Sequence, residues 1–336
     1  MNTFPRLAVL ATALAASSAF ATDVPQYAVV VVPQSTDARV DHAKAVAINN
    51  AGEMAGIAYV KVKGSSDFTS YPARWAADGS VEVDFKDPGF ESIAIDNRGD
   101  IVVTEYFGDS SGTAISATWR RGAASLSPQQ PGTMADDIND HAQYIGETWF
   151  PDDEVTDATI YTKGVPTRLP SLGGDYSVGM GLNNVGDAVG FSIFDDQVTH
   201  AFYYHAGGVT DLLLGTSGVA FTINDAGQIA GAIYQNRNAY PFRWENGVVT
   251  RLGGGVNDIT DVHINQRGEV IWSNAGHNKE GFVAPAGTGY SLNTLIVPGG
   301  DLWWVDAVGG LNDAGTIVAQ AHVGHKAAQS VLLVPQ

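Results

Sequence analysis

Two dense acidic clusters are the residues most suited to chemistry in this sequence. The first cluster contains Asp152 and Asp153 with Glu154, and the second contains Asp195 and Asp196. Several carboxylate oxygens held together bind a hard cation such as Ca²⁺, and a facing pair of carboxylates can hydrolyse a glycosidic bond. The alternative is a solvated, charged rim without chemistry. Binding or catalysis therefore requires a fold that brings the two clusters onto neighbouring loops.

Aromatic residues near these clusters suggest a stacking surface. Trp149 precedes the first acidic cluster, and Trp303 and Trp304 are adjacent near the end of the chain. Because successive side chains of a strand point to opposite faces, only one ring of the pair can face a ligand. Such a ring would stack on a sugar or a peptide, whereas the alternative is packing between sheets.

A turn motif, written "FTINDAGQIAG" at Phe221 and "VAINNAGEMAG" at Val46, occurs seven times. An asparagine or aspartate at the first turn position can accept a hydrogen bond from the backbone two residues later, and a glycine three residues later supplies a positive φ. Only the third copy lacks this glycine and has Ala142. The motif does not follow the ligand spacing of a calcium loop, so we interpret these residues as structural. They are Asn49, Asp96, Asn139, Asn183, Asn224, Asn265 and Asn312.

The spacing of these turns predicts the architecture. Consecutive turns lie 41 to 47 residues apart, and each interval contains four short β-prone runs, which is the length of a propeller blade. A β-helix would need a shorter repeat, and no stretch has a sustained helical period. The sequence predicts an all-β fold, a single seven-bladed β-propeller of four-stranded blades over residues 22–336. We expect the N-terminal strand to complete the last blade beside the final strand.

This architecture predicts where a ligand would bind. The turns between the first and second strands are short and alike, whereas the connections between second and third strands, and from fourth strands to the next repeat, vary. Variable loops on a rigid scaffold usually carry binding. The predicted ligand-binding residues on that face are Asp152, Asp153, Asp195, Asp196, Trp149, Trp303 and Trp304.

The fourth repeat carries a wider pattern, "L-G-G … I-N-x-x-G-x-x-x-G … H-A-F". It reads "LPSLGGDYSVGMGLNNVGDAVG" from Leu169 to Gly190, followed by His200, Ala201 and Phe202. This pattern resembles the HAF repeat family of bacterial extracellular proteins. The resemblance implies an exported, propeller-like repeat protein, and it supplies no catalytic residues to transfer.

The ends and the charge of the chain constrain its location. Residues 1–21 have the basic, apolar and Ala-x-Ala order of a signal peptide, which predicts a periplasmic or secreted protein without membrane insertion. The sequence has no cysteine, and therefore no disulfide. Its 36 acidic and 18 basic residues give a formal charge of −18, which argues against binding to nucleic acid.

We therefore expect a monomeric, non-enzymatic propeller that binds a protein, a peptide or a glycan on its variable loops. No catalytic residue, metal ligand or cofactor is assigned, and Ca²⁺ is not supported by a recognised loop. The alternative is a secreted hydrolase or lyase that acts on polysaccharide with carboxylates of the same face. An enzyme should place unlike chemical groups from several loops around one channel.

Overall fold

The computed structural model describes residues 24–106, 114–124, 126–127, 130–194, 198–276, 279–285, 287–297 and 302–336. The expected signal peptide, residues 1–21, lies outside the described residues. Within these ranges the chain forms strands and one short 3₁₀ helix. No helix in the described ranges is long and apolar enough to cross a membrane.

The strands follow the predicted order along the chain. The N-terminal strand is β1 (Tyr27–Val31). The first repeat contains β2 (His42–Ile48), β3 (Met54–Lys61), β4 (Phe68–Trp75) and β5 (Val81–Val83). The second contains β6 (Phe90–Ile95), β7 (Ile101–Tyr106), β8 (Ala114–Trp119) and β9 (Gln130–Pro131). The third contains β10 (Thr133–Ile138), β11 (Gln143–Phe150), β12 (Val155–Thr162) and β13 (Val165–Arg168).

The remaining repeats continue this order. The fourth contains β14 (Tyr176–Leu182), β15 (Ala188–Ile193), β16 (Thr199–His205) and β17 (Gly208–Asp211). The fifth contains β18 (Gly218–Ile223), β19 (Ile229–Gln235), β20 (Asn238–Glu245) and β21 (Val248–Arg251). The sixth contains β22 (Asp258–Ile264), β23 (Val270–Ala275), β24 (Glu280–Ala284), β25 (Tyr290–Ser291) and the 3₁₀ helix Leu292–Thr294. The seventh contains β26 (Trp303–Leu311), β27 (Ile317–Val323) and β28 (Gln329–Pro335).

The all-β propeller fold is confirmed, but its division into sheets differs from the prediction. Five sheets are separate four-stranded blades, where seven were predicted. The third and fourth repeats instead share one eight-stranded sheet. A parallel bridge between Thr156 and Tyr176 joins β12 to β14, and the amide of Thr156 donates to the carbonyl of Asp175 at 3.0 Å. The two repeats therefore continue into each other where the others remain separate.

The predicted closure by the N-terminal strand is confirmed. β1 pairs antiparallel with β28, from Tyr27 opposite Pro335 to Val31 opposite Val331. The strand order of this sheet is β1, β28, β27, β26. Both ends of the chain therefore contribute to one blade, and the edge of β28 is covered by a hydrogen-bonded neighbour.

Apolar side chains pack between neighbouring repeats. Ala230 and Trp272, from the fifth and sixth repeats, lie in one buried cluster. The aromatic positions of the third strands include Trp75 and Trp119, which are almost fully buried. With no cysteine in the chain, this burial is the main stabilising contribution that the fold offers.

The turn motifs adopt the predicted geometry. The amide of Ala51 donates to Oδ1 of Asn49 at 3.0 Å, two residues along the chain. The glycine of each motif has a positive φ, such as 79° at Gly52, and Ala142 adopts a φ of 54° in the third copy. A second glycine of the motif has a packing role, because a Cβ at Gly190 would lie 1.9 Å from the carbonyl oxygen of Val178.

Turn geometry alone does not explain the asparagines, because they also join the repeats. The side-chain nitrogen Nδ2 of Asn183 donates to the backbone carbonyl of Asn224 at 3.0 Å. Six such bonds of 2.9 to 3.3 Å link neighbouring turns. The seventh bond, from the second turn to the third, is not formed because the carboxylate of Asp96 has no N–H to donate to the carbonyl of Asn139. The selection of asparagine therefore reflects its ability to accept and donate at once.

A second ring of hydrogen bonds closes completely. The backbone N–H of the residue after each asparagine or aspartate donates to the corresponding side chain of the next repeat, over 2.7 to 3.0 Å. The participating residues are Asn50, Asn97, Asp140, Asn184, Asp225, Gln266 and Asp313. We call this side of the ring the turn face and the opposite side, which carries the variable connections, the loop face.

Candidate functional site: the acidic segment of the central channel

A bulge in every innermost strand shapes the central channel. It falls three residues before the turn asparagine or aspartate, as between Ala45 and Ala47 in the first repeat. A bulge adds one unpaired residue and redirects its side chain. The seven residues at this position all line one cavity of about 470 Å³. They are Val46, Ile93, Asp136, Met180, Phe221, Val262 and Gly309.

Asp136 is the one ionisable residue three positions before a turn residue, and the wider bulge of the sixth repeat adds Asp261 to the same cavity. Oδ2 of Asp136 is buried and has no hydrogen-bond partner within the described ranges. Burial raises the pKa of Asp136 well above its usual value, and the nearby carboxylates of Glu147 and Asp137 raise it further. An unpaired carboxylate in such surroundings is costly unless it takes up a proton or a cation.

Glu147 and Tyr176 complete what we call the acid pocket, which consists of Asp136, Glu147 and Tyr176. The Tyr176 hydroxyl donates to Oε2 of Glu147 at 2.6 Å. Burial raises the pKa of Glu147, and this hydrogen bond partly opposes the effect. Burial also raises the pKa of Tyr176, with further contributions from Glu147 and Asp136. The pocket therefore joins the third and fourth repeats, which share one sheet.

Asp137, beside the acid pocket, has a structural role. Its Oδ2 accepts the backbone N–H of Leu182 at 3.0 Å, and its Oδ1 accepts that of Ile138 at 2.8 Å. Burial raises the pKa of Asp137 to about 6, although both hydrogen bonds lower it. The side chain of Asp137 thereby ties the innermost strands of the third and fourth repeats together.

His263 is a further ionisable residue of the channel. It lines the same cavity from the sixth repeat. Burial lowers the pKa of His263, and the nearby Asp261 opposes this shift. A histidine with a lowered pKa favours its neutral form, so it does not offer a strong counter-charge to Asp136.

The turn face of the channel is polar and smaller. A cavity of about 150 Å³ is lined there by the second ring of hydrogen-bonded residues. The three carboxylates of that ring, Asp140, Asp225 and Asp313, each accept a backbone N–H at 2.7 to 2.8 Å. Five aliphatic residues line both cavities and separate the polar segment from the acidic one: Ile48, Ile95, Ile223, Ile264 and Leu311. Ile138 and Leu182 line the turn-face cavity only.

Only the first of the two predicted acidic clusters lies within the described residues. Asp152 and Asp153 are exposed in the turn between β11 and β12, and Oδ2 of Asp153 pairs with Nη1 of Arg168 at 2.5 Å. Asp195 and Asp196 lie outside the described residues. Across the described part of the chain, no group of three or more His, Cys, Asp or Glu side chains is arranged to hold a metal ion.

The predicted aromatic residues fall into two classes. Trp149 is 48% exposed and Trp304 is 46% exposed, whereas Trp303 packs against the apolar cluster of the last sheet. The adjacent pair therefore diverges as strand alternation predicts. Trp304 donates from Nε1 to the carbonyl of Lys279 at 3.3 Å. Trp149 and Trp304 belong to the third and seventh repeats, and no ring contact joins them in the part of the chain that is described.

Trp149 is the predicted residue that relates to the acid pocket. It lies on β11 two residues after Glu147, so both side chains project from the same side of the strand, about 7 Å apart along it. Because β11 begins at the turn face, Trp149 lies near the loop face. The exposed ring and the acid pocket therefore share one side of the third repeat.

A separate cavity of about 450 Å³ lies in the fourth repeat, beside its fourth strand. His200 and Asp211 line it, and Nδ1 of His200 is 2.8 Å from Oδ2 of Asp211. The centroid of the Phe194 ring lies 4.4 Å from the centroid of the His200 ring. These polar groups already pair with one another, which makes this cavity the weaker candidate.

The sequence interpretation missed Asp136, Glu147, Asp137, Tyr176 and His263. One signal was available, because the position three residues before each turn residue is apolar or glycine in six repeats and Asp136 in the third. Its meaning depends on the bulge, which a single sequence does not reveal. The pairing of Glu147 with Tyr176 additionally requires the contact between two repeats.

Comparisons with known proteins support the fold. No protein-family model matches the chain, and no curated protein matches its sequence. The propeller domain of the trilobed protease from Pyrococcus furiosus is similar, with a TM-score of 0.59 and 10% identity over 87% of this chain and 95% of that one. That domain has an open velcro topology, whereas β1 and β28 pair in this chain.

Two further structures with a similar fold are a peptidase and a peptide complex. The acylaminoacyl peptidase of Pyrococcus horikoshii has a TM-score of 0.57 and 11% identity over 90% of this chain, which spans 53% of the peptidase. YCF48 bound to the D1 peptide has a TM-score of 0.50 and 10% identity over 94% of this chain and 98% of that one. At these identities the similarity shows a β-propeller fold and no specific activity.

Proposed function

We propose that this protein is an exported, non-enzymatic β-propeller that binds a peptide segment of a partner protein. The segment enters the central channel from the loop face, beside Trp149. The observation that carries the proposal is the acid pocket, in which Asp136 interrupts a ring of apolar residues with an unpaired carboxylate oxygen. A largely apolar channel wall with a few polar groups is typical of a binding site.

A peptide fits these surroundings better than a neutral glycan. An unpaired carboxylate is satisfied best by a positive charge, and peptides carry such charges together with apolar side chains. The apolar residues around Asp136 would contact those side chains. A propeller also holds a peptide in the YCF48–D1 structure, which supports the choice by fold alone.

The wider setting of the binding function is part of the same proposal. We propose cleavage after Ala21, a periplasmic or secreted location, a monomeric state and membership of the HAF repeat family. We further propose that the eight-stranded sheet acts as two blades in a sevenfold ring. Seven turns joined in one closed order of hydrogen bonds support this blade count.

A peptide array tests the binding function. The mature chain should bind a subset of peptides, and Trp149→Ala should weaken that binding at least tenfold because an exposed ring near the loop face is lost. Val185→Ala is the matched control, since Val185 is 66% exposed on the turn face. An array without binders, or equal losses for the two variants, would contradict the proposal.

The second candidate is a hydrolase or lyase acting on polysaccharide. The observation that favours it is the acid pocket itself, where Asp136 and Glu147 both have a raised pKa beside a tyrosine hydroxyl. A carboxyl group with a raised pKa can act as a general acid. Turnover of a polysaccharide that disappears in Glu147→Gln would replace the binding function with this one.

A further inference from the structure

The ring position of Asp136 defines a site for a charged group rather than a general acidic surface. Six repeats place Val, Ile, Met, Phe, Val and Gly in the channel at this position, and the third repeat places a carboxylate there. The apolar neighbours offer Asp136 no hydrogen bond, and its Oδ2 is unpartnered among the residues described. A buried polar atom without a protein partner is satisfied by a water, a proton or a bound group.

The electrostatics around Asp136 specify the charge of that group. The groups that influence its carboxylate are two further carboxylates, Glu147 and Asp137, and no described cation contributes. Oxygens of Asp137 accept hydrogen bonds from the amides of Leu182 and Ile138, so this side chain is already occupied. Asp136 lines the channel without a described counter-charge, and Glu147 lies close enough to raise its pKa further.

The available acceptors specify the shape of the group. Asp136 presents Oδ2, Glu147 presents a carboxylate, and Tyr176 presents a phenolic oxygen whose own proton is donated to Glu147. A primary ammonium has three N–H donors and no acceptor, which matches three acceptors on two neighbouring repeats. A divalent cation needs more ligands than this arrangement supplies, because metal sites generally use several close carboxylates or imidazoles.

We propose that the acid pocket binds a primary ammonium group of the peptide, either a lysine side chain or a free N-terminus. This assignment rests on the proposed peptide-binding function and names the chemistry that the channel recognises. Asp136 pairs with the ammonium, Glu147 supplies the second charge, and Tyr176 holds Glu147 in position. The exposed ring of Trp149 contacts the peptide outside the channel.

The test is an array in which each peptide is printed in three forms. One form is N-acetylated with lysine at the central position, one is N-acetylated with norleucine there, and one has norleucine with a free N-terminus. Norleucine keeps the aliphatic chain and removes the ammonium. The wild-type protein should bind one of the two ammonium forms at least tenfold more strongly than the N-acetylated norleucine form. The form that binds shows whether the pocket takes a lysine side chain or a free N-terminus.

Variants separate the pocket from general charge attraction. Asp136→Asn should abolish the preference for the ammonium form, because a neutral amide replaces the unpaired carboxylate. This substitution removes a buried charge, so we expect the variant to fold. Asp67→Asn removes the same charge from an exposed position in the connection between β3 and β4, on the loop face of the first repeat, and should preserve the preference at 0.15 M salt.

The possible failures are distinguishable. Equal binding of lysine and norleucine peptides by the wild-type protein would overturn the ammonium site but leave peptide binding intact. No binding to any peptide would overturn both proposals. Displacement of ammonium peptides by millimolar CaCl₂, with saturable Ca²⁺ binding that Asp136→Asn removes, would show that the pocket is a metal site instead.

Discussion

At the scale of single residues, the turn asparagines show how one side chain can serve two levels of structure. Oδ1 of Asn183 accepts from the amide of Asp187 at 2.8 Å within its own turn, and its Nδ2 donates to Asn224 of the next repeat. Neither serine nor aspartate can provide both bonds with the same geometry. The asparagine therefore combines local turn formation with the alignment of neighbouring repeats.

Asp96 is the exception, and it predicts a stabilising substitution. Asp96→Asn should raise the free energy of unfolding by about 1 kcal/mol, since an amide can donate to the carbonyl of Asn139 and complete the ring. Burial raises the pKa of Asp96, so removal of its charge should also help at neutral pH. Arg98 would keep its bond to Asp100 at 3.1 Å. Urea unfolding at pH 7 provides the measurement.

The reciprocal substitution is the control for this prediction. Asn139→Asp removes the donor to the carbonyl of Asn183, a bond of 3.0 Å. It should lower stability by about 2 kcal/mol, because it loses a buried hydrogen bond and introduces a buried charge. A less stable Asp96→Asn variant would show that the pairing with Arg98 outweighs the completed ring.

At the scale of elements, β1 closes the ring without a covalent link. The amide of Val32 donates to the carbonyl of Ser330 at 3.0 Å, whereas the amide of Tyr27 donates away from β28, to the carbonyl of Leu295. Because alternate residues of an antiparallel strand face the partner, the N–H of Val30 points to β28 and that of Val31 points outward. Only one of these two adjacent residues contributes a donor to the closure.

Proline at each of these positions tests the closure. Val30→Pro should lower the free energy of unfolding by about 3 kcal/mol, since it removes a ladder hydrogen bond. Val31→Pro should have a much smaller effect because its N–H faces the outer edge, where proline is tolerated. The side chains are 49% and 45% exposed, so the comparison is matched. Equal melting temperatures for the two variants would contradict a closing role for β1.

The same elements show what the sequence can predict. The turn motif repeats with a period that is visible in the chain, so strand order, turn conformation and closure follow from it. The joining of the third and fourth repeats depends on the approach of Thr156 to Tyr176, which no local pattern encodes. Likewise, the acid pocket depends on a bulge and on a contact between repeats, so Asp136 resembles an ordinary strand residue until the seven strands are superimposed by their turns.

At the scale of the whole molecule, the ring contains charges that oppose its own stability. The formal charge of the full sequence is −18, and Asp136, Asp137 and Glu147 lie near one another beside the channel. Burial raises the pKa of each of these groups. The folded state therefore binds protons more readily than the unfolded chain does, which favours folding in mildly acidic solution.

Asp137 gives this effect a pH window. Its pKa rises from the ordinary 3.8 to about 6 in the folded protein. The stabilisation by its proton is therefore fully present below about pH 4 and is lost as the pH rises through about 6. The full change corresponds to about 3 kcal/mol, at 1.36 kcal/mol per pKa unit.

Asp137→Asn should remove this dependence, because an amide does not titrate. Relative to the wild-type protein, the variant should gain up to about 3 kcal/mol of unfolding free energy between pH 4 and pH 7.5. At pH 4 it should be the less stable protein, since an amide nitrogen cannot accept the N–H that Asp137 accepts from Leu182 or Ile138. Urea unfolding at both pH values measures the difference. Parallel pH profiles for the two proteins would show that Asp137 is ionised in the channel at an ordinary pKa, and that the channel tolerates its charge without a cation.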